Sequence, residues 1–201
     1  QRVLFRSPHA APLEVLSRNQ VDARLTEWWF ATDAMRDVNP ANPFADGRTG
    51  IRVLMPSGFR GHPGRRWPVL YLLHGCCNLK GDGQTRSLSF RDWTTVGAGN
   101  AEAITRRLPA IVVMPDGLRA GWYSDSYGLS GEGGPQIEGY LIRQLIPWVD
   151  AHLPTIANRA HRAVAGLSMG GFGAMSLASR HPDLFSAAAS FSGAVDPMHD
   201  S

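Results

Sequence analysis

Two segments near the start of the chain, Ala23 to Thr32 ("ARLTEWWFAT") and Thr49 to Met55 ("TGIRVLM"), are rich in aromatic and β-branched residues and read as strands. The stretch "RDVNPANPFADGR" between them carries turn formers, so the two strands are expected to pair as an antiparallel opening section. From Pro68 the pattern changes to continuous apolar runs: "VLYLLHG" (69–75), "AIVVMPDG" (110–117), "HRAVAGLS" (161–168) and "AAASFSG" (187–193). Runs of this kind, apolar without alternation and closed by small or turn residues, suit parallel strands buried on both faces. Helical spacing falls between them: Ile137, Tyr140, Leu141, Leu145, Trp148 and Val149 share one face, with Pro147 placed to kink the helix. A second helix is expected over Gly171 to His181, stopped by Pro182. Strands alternating with helices predict an α/β fold with a mostly parallel central sheet and helices on both faces.

Composition narrows the classes. The chain has 201 residues, 43% hydrophobic, enough for one domain with a sizeable core. Its formal charge is +3, carried by 19 Arg against the single Lys80, and the arginines are scattered, whereas a nucleic-acid binder concentrates them in a patch. No apolar run approaches the roughly 20 residues of a membrane span. Cys76 and Cys77, the only cysteines, are adjacent, and neighbouring Cα atoms sit about 3.8 Å apart, below the usual disulfide span. Two thiols, or one thiol and a bridge to a cysteine outside this chain, are therefore expected. No pair of His, Asp or Cys has metal-ligand spacing, and nothing calls for a cofactor.

One stretch carries chemistry, "AVAGLSMGGFG" (163–173), which holds a G-x-S-x-G pentapeptide around Ser168. In so glycine-rich a chain the pentapeptide alone is weak evidence. Its context is what matters: an apolar run enters Ser168 and a helix leaves it, while Gly166, Gly170 and Gly171 remove side chains that would collide in a sharp turn. Ser168 is thus the candidate nucleophile. An oxyanion needs two preorganised donors, expected from the backbone amides of Met169, directly after the serine, and of Cys76, behind His74 and Gly75 in "LLHGCC". Trp122 and Tyr123 lie on a loop after the strand 110–116, at the sheet edge where open α/β sheets bind ligands, and with His74 they are the candidate substrate contacts. Trp28, Trp29, Trp67 and Trp148 read as core or sheet-covering aromatics, and His9, His62, His152 and His161 as loop or element-end residues.

The segments "YLLHG", "IVVMPDG", "GWYSDSYG", "LIPWVDAHLP" and "AGLSMGGFGAMSLASRHPDLFSAAASFSG" together resemble the esterase D family of α/β-hydrolases, which includes S-formylglutathione hydrolases, feruloyl esterases and antigen 85-type mycolyltransferases. The resemblance runs from about residue 49 to residue 201. It implies an α/β-hydrolase fold, Ser168 as nucleophile and the Cys76 and Met169 amides as oxyanion hole. His74 stands where the mycolyltransferases tend to carry an acidic residue, which is closer to the plain esterases.

The family order of the triad is Ser, then acid, then His. After Ser168 the chain holds His181, Asp183, Asp196, His199 and Asp200, and none matches the family positions. Residues 1–201 are therefore expected to be a single catalytic domain incomplete at its C-terminus, with strands, triad acid and histidine supplied by the remainder of its C-terminal region. The expected activity is that of a serine carboxylesterase on a small ester, lipid and glycolipid esters included. Acyl transfer to a sugar or lipid hydroxyl is the first alternative, and a non-catalytic binding module on a hydrolase fold the second. A secreted or cell-envelope location is expected, with a cytoplasmic one left open.

Overall fold

The computed structural model describes residues 12–36, 46–76, 88–94, 99–126 and 134–194. Cys77, most of the polar loop 76–93, the end of "GWYSDSYG", His9, Asp196, His199 and Asp200 lie outside the described residues. Among the described residues seven strands form one sheet: β1 (Glu14–Gln20), β2 (Leu25–Arg36), β3 (Asp46–Leu54), β4 (Val69–Leu73), β5 (Ile111–Pro115), β6 (Arg162–Leu167) and β7 (Ala187–Phe191), in the order β1-β2-β3-β5-β4-β6-β7. β1, β2, β3 and β5 join antiparallel, whereas β5, β4, β6 and β7 run parallel. The antiparallel opening and the parallel main section are those expected from the apolar pattern. β1 is an addition. Its residues are almost all exposed, so no alternation of apolar and polar positions marks it.

The period of two in a strand sends its side chains to two cores. Val69, Tyr71 and Leu73 of β4, with Ile111 and Val113 of β5, enter the larger cluster beneath α4 (Met169–Arg180). Leu72, Val112 and Met114 enter the smaller one with Ala101 of α1 (Ala101–Ile104). The helix expected over 137–149 begins as α2 (Ile137–Gly139), widens into a π-helical turn (Tyr140–Leu145) and ends as α3 (Ile146–His152). Pro147 has no N–H, and in a regular helix its ring would collide with the Arg143 carbonyl, so the wider turn takes the place of the expected kink. Trp148 then packs edge-on against Trp28 and Phe30, at 5.0 and 4.8 Å between ring centres.

A buried carboxylate ties the end of the polar loop to the antiparallel strands. Glu27 on β2 faces Arg52 on β3 across the pair and accepts hydrogen bonds from Arg52 Nε (3.0 Å), Trp29 Nε1 (3.0 Å) and Arg91 Nε (2.8 Å). Arg91 belongs to the 3₁₀ turn Ser89–Thr94, whose Phe90 ring lies where a Cβ on Gly50 would sit, 2.3 Å away. Burial pushes the Glu27 carboxyl upward in pKa, but the bonds from Arg91, Trp29 and Arg52 outweigh it and hold the group below its usual range. Such a carboxyl adds stability above its unfolded pKa of about 4.3 and loses it as pH falls through the lower folded value. Glu27→Gln is accordingly expected to destabilise the fold by about 3 kcal/mol at pH 7. In urea titrations its deficit against the wild type is expected to shrink below about pH 4; a deficit that does not change with pH would contradict this account.

Candidate active site

Ser168 joins β6 directly to α4. Its backbone sits at φ 53°, ψ −119°, a region that glycine enters readily and other residues enter only under strain. The turn is held by the Ser168 N–H, which donates to Phe191 O (2.9 Å), and by Phe172 N–H, which donates to Ser168 O (3.1 Å). Backbone packs on backbone around it. A Cβ on Gly166 would lie 2.2 Å from Gly170 O, and a Cβ on Gly170 would lie 2.4 Å from Leu73 O and 2.6 Å from His74 O. Only glycine lets the start of α4 approach the end of β4 this closely.

That approach brings the loop after β4 to the serine. A Cβ on Gly75 would meet both Ser168 Cβ and Leu167 O at 3.5 Å, so Gly75 flanks the turn. Cys76 is disulfide-bonded, which corrects the expectation of two thiols.

His74 and Tyr123 are corrected as substrate contacts. The His74 ring is 1% exposed and spans two loops, with Nδ1 at 2.7 Å from Gly75 O and Nε2 at 2.9 Å from the Gly117 N–H. Tyr123 is also 1% exposed; its hydroxyl donates to His74 O (3.1 Å), and its ring fills the space beside Gly117 and Gly173. Burial in an apolar setting raises its phenol well above the usual pKa, so it stays a donor. Both side chains are interior struts between the loops after β4 and β5. The role of Gly117 was not legible in "MPDG", which reads only as a turn.

Trp122 keeps its place at the surface. It is 39% exposed, its backbone N–H donates to Met169 Sδ (3.4 Å) and its ring meets Phe172 edge-on at 5.5 Å. Leu118, Trp122 and Tyr123 all have positive φ (58°, 53° and 55°), a concentration of strain that core packing must hold in place. Trp122 lines a cleft of about 540 Å³ together with Leu118, Arg119, Ser124, Asp125 and Ile137. Ser168 is not part of that wall, although Trp122 links the two through Met169 and Phe172.

The other described histidines are engaged with partners of their own. His62 meets the Trp67 ring, His152 bonds Trp148 O, His161 bonds Asn158 and His181 bonds Glu138 Oε1 at 2.7 Å. His181 follows the last residue of α4, a helix of 12 residues that starts just after Ser168, so about 18 Å of helix separates the two. No cluster of His, Cys, Asp or Glu among the described residues could hold a metal ion.

Comparison with known proteins agrees with this geometry. A family model described as "Putative esterase" matches residues 44–200. Esterase Rv1288 of Mycobacterium tuberculosis is 39% identical over 189 residues, which are 94% of this chain and 36% of that protein. An endo-1,4-beta-xylanase/feruloyl esterase of Xylanibacter ruminicola is 33% identical over 168 residues, 81% of this chain and 20% of the relative. The chain thus spans about a third or less of these relatives' length. Among solved structures, a ferulic acid esterase superposes with a TM-score of 0.62 at 24% identity, over 85% of this chain and 59% of that one. The strained serine turn at the end of a parallel strand in a mixed sheet, the superposition and the match over 44–200 lead to one conclusion: the chain belongs to this esterase family and has the α/β-hydrolase fold.

Proposed function

We propose that the protein is a serine carboxylesterase. The observation that carries the reading is Ser168 itself, held in a strained backbone conformation at the start of α4 with the Gly75–Cys76 loop against it. Ser168 Oγ attacks the ester carbonyl, the alcohol leaves, and water then resolves the acyl-enzyme. The Met169 N–H opens α4 and points with the positive end of the helix dipole, and the Cys76 N–H supplies the second oxyanion donor. The base and its acid are assigned to residues outside those described, in the rest of the protein's own chain. This assignment is supported by the engagement of the described histidines elsewhere and by β7, whose residues are all exposed, Phe191 at 54%. The cleft beside Trp122 takes one side of the ester. A disulfide at Cys76 supports a location outside the reducing cytosol.

In the full-length protein, Ser168→Ala is expected to abolish hydrolysis of a p-nitrophenyl acyl ester, a loss of at least about 10⁴-fold in kcat. Unchanged turnover would end the serine reading. Repeating the assay with a sugar acceptor separates water from a hydroxyl as the second substrate: hydrolysis as the main outcome fits the proposal, and preferential transfer replaces it with an acyltransferase.

If the strain at Ser168 is kept for chemistry, relieving it stabilises the fold. Ser168→Gly is expected to be about 1 kcal/mol more stable than Ser168→Ala by urea unfolding, with both inactive. A glycine variant less stable than the alanine one would remove strain from the account.

A further inference from the structure

His74 is buried and touches no described cleft, yet every polar atom of its ring is committed. Gly75 O can only accept, so the 2.7 Å contact requires a proton on Nδ1. The Gly117 N–H can only donate, so the 2.9 Å contact requires a bare Nε2. The two contacts independently select the same neutral tautomer. Asp116 Oδ1 also lies 3.4 Å from Nε2, at ion-pair range, but it already accepts the Leu118 N–H (3.0 Å), and a proton on Nε2 would face the Gly117 N–H. The shorter, better matched contact to Gly117 decides the state.

Gly75 O and the Cys76 N–H belong to one peptide unit, and no peptide among the described residues is cis. In a planar trans unit the carbonyl and the N–H point in opposite directions, so fixing one aims the other. We infer that His74 is a positioning residue: its Nδ1–H holds the Gly75 carbonyl and thereby aims the Cys76 N–H at the oxyanion. The preceding unit is pinned as well, since His74 O accepts the Tyr123 hydroxyl. Gly117 anchors the far side of the ring to the loop after β5, which also carries Trp122. The oxyanion loop is in this way indexed to the loop at the cleft through one imidazole. This inference rests on the serine esterase reading for its catalytic consequence, but the tautomer does not.

Two substitutions divide the ring's functions. In His74→Asn the amide nitrogen can replace Nδ1 and keep the bond to Gly75 O while the acceptor for Gly117 is lost. In His74→Gln the amide oxygen can replace Nε2 while the donor to Gly75 O is lost. In the full-length enzyme, Gln is expected to lower kcat by about 10²-fold, the scale of one oxyanion donor, with KM little changed. Asn is expected to lose under about tenfold. Affinity for a trifluoromethyl ketone, whose adduct is tetrahedral, should fall in step with kcat. Equal losses in the two variants, or a larger loss with Asn, overturn the inference. Nitrogen-15 NMR of the wild-type imidazole is expected to show Nδ1 protonated and Nε2 bare; the opposite tautomer overturns it too, and this reading stands even if a variant fails to fold. Ser168-independent hydrolysis by the wild type would instead refute the esterase reading and leave the tautomer result to judge the positioning.

Discussion

The structure depends on how closely the first turn of α4 is pressed against the ends of β6 and β4. Gly166 and Gly170 face each other with no room for a Cβ, and Gly170 lies on the Leu73 and His74 carbonyls. One extra methyl group at either position would push the helix away from the sheet by a distance comparable to a bond length. The serine turn, the helix N-terminus and the loop after β4 would then separate. Because backbone rather than side chain makes these contacts, they cannot relax by a rotamer change. The two oxyanion donors of the proposed mechanism come from segments distant in sequence, and this contact fixes the gap between them.

Around it the fold stores strain and offsets it with packing. Ser168, Leu118, Trp122 and Tyr123 all have positive φ, each at a cost of order 1–3 kcal/mol. They are clamped by buried neighbours: Tyr123 by the space beside Gly117 and Gly173, Trp122 by Met169 and Phe172. His74 connects the same parts by hydrogen bonds. A second anchor, the Glu27 carboxylate with Arg52 and Arg91, fixes the turn Ser89–Thr94 on the antiparallel strands. The chemistry and the scaffold therefore share few residues, and substitutions at Glu27 act on stability while those at His74 act on the aim of an amide.

Strands β4 to β6 and the turn at Ser168 were legible because local rules determine them: unbroken apolar runs buried on both faces, and small residues where a strand turns sharply into a helix. β7 was found by the same apolar pattern, but the burial expected of it is not there, since all its residues are exposed. β1 was not, since its exposed side chains carry no periodic signal. His74 and Tyr123 were misread for a different reason. A polar residue in a loop has the same local sequence whether it faces a ligand or a neighbouring loop, and only the tertiary placement of Gly75, Gly117 and Gly173 shows that both face inward. Pro147 signalled an irregular helix, but whether the chain kinks or widens into a π turn depends on what packs beside it.

The central claim is that Ser168 is the nucleophile of an ester-cleaving site. The most direct measurement is treatment of the full-length protein with a fluorophosphonate, followed by proteolysis and mass spectrometry to locate the adduct. The account predicts one phosphonyl group per chain, on the peptide containing Ser168. An adduct on another serine, or none under conditions where the protein hydrolyses esters, would contradict it.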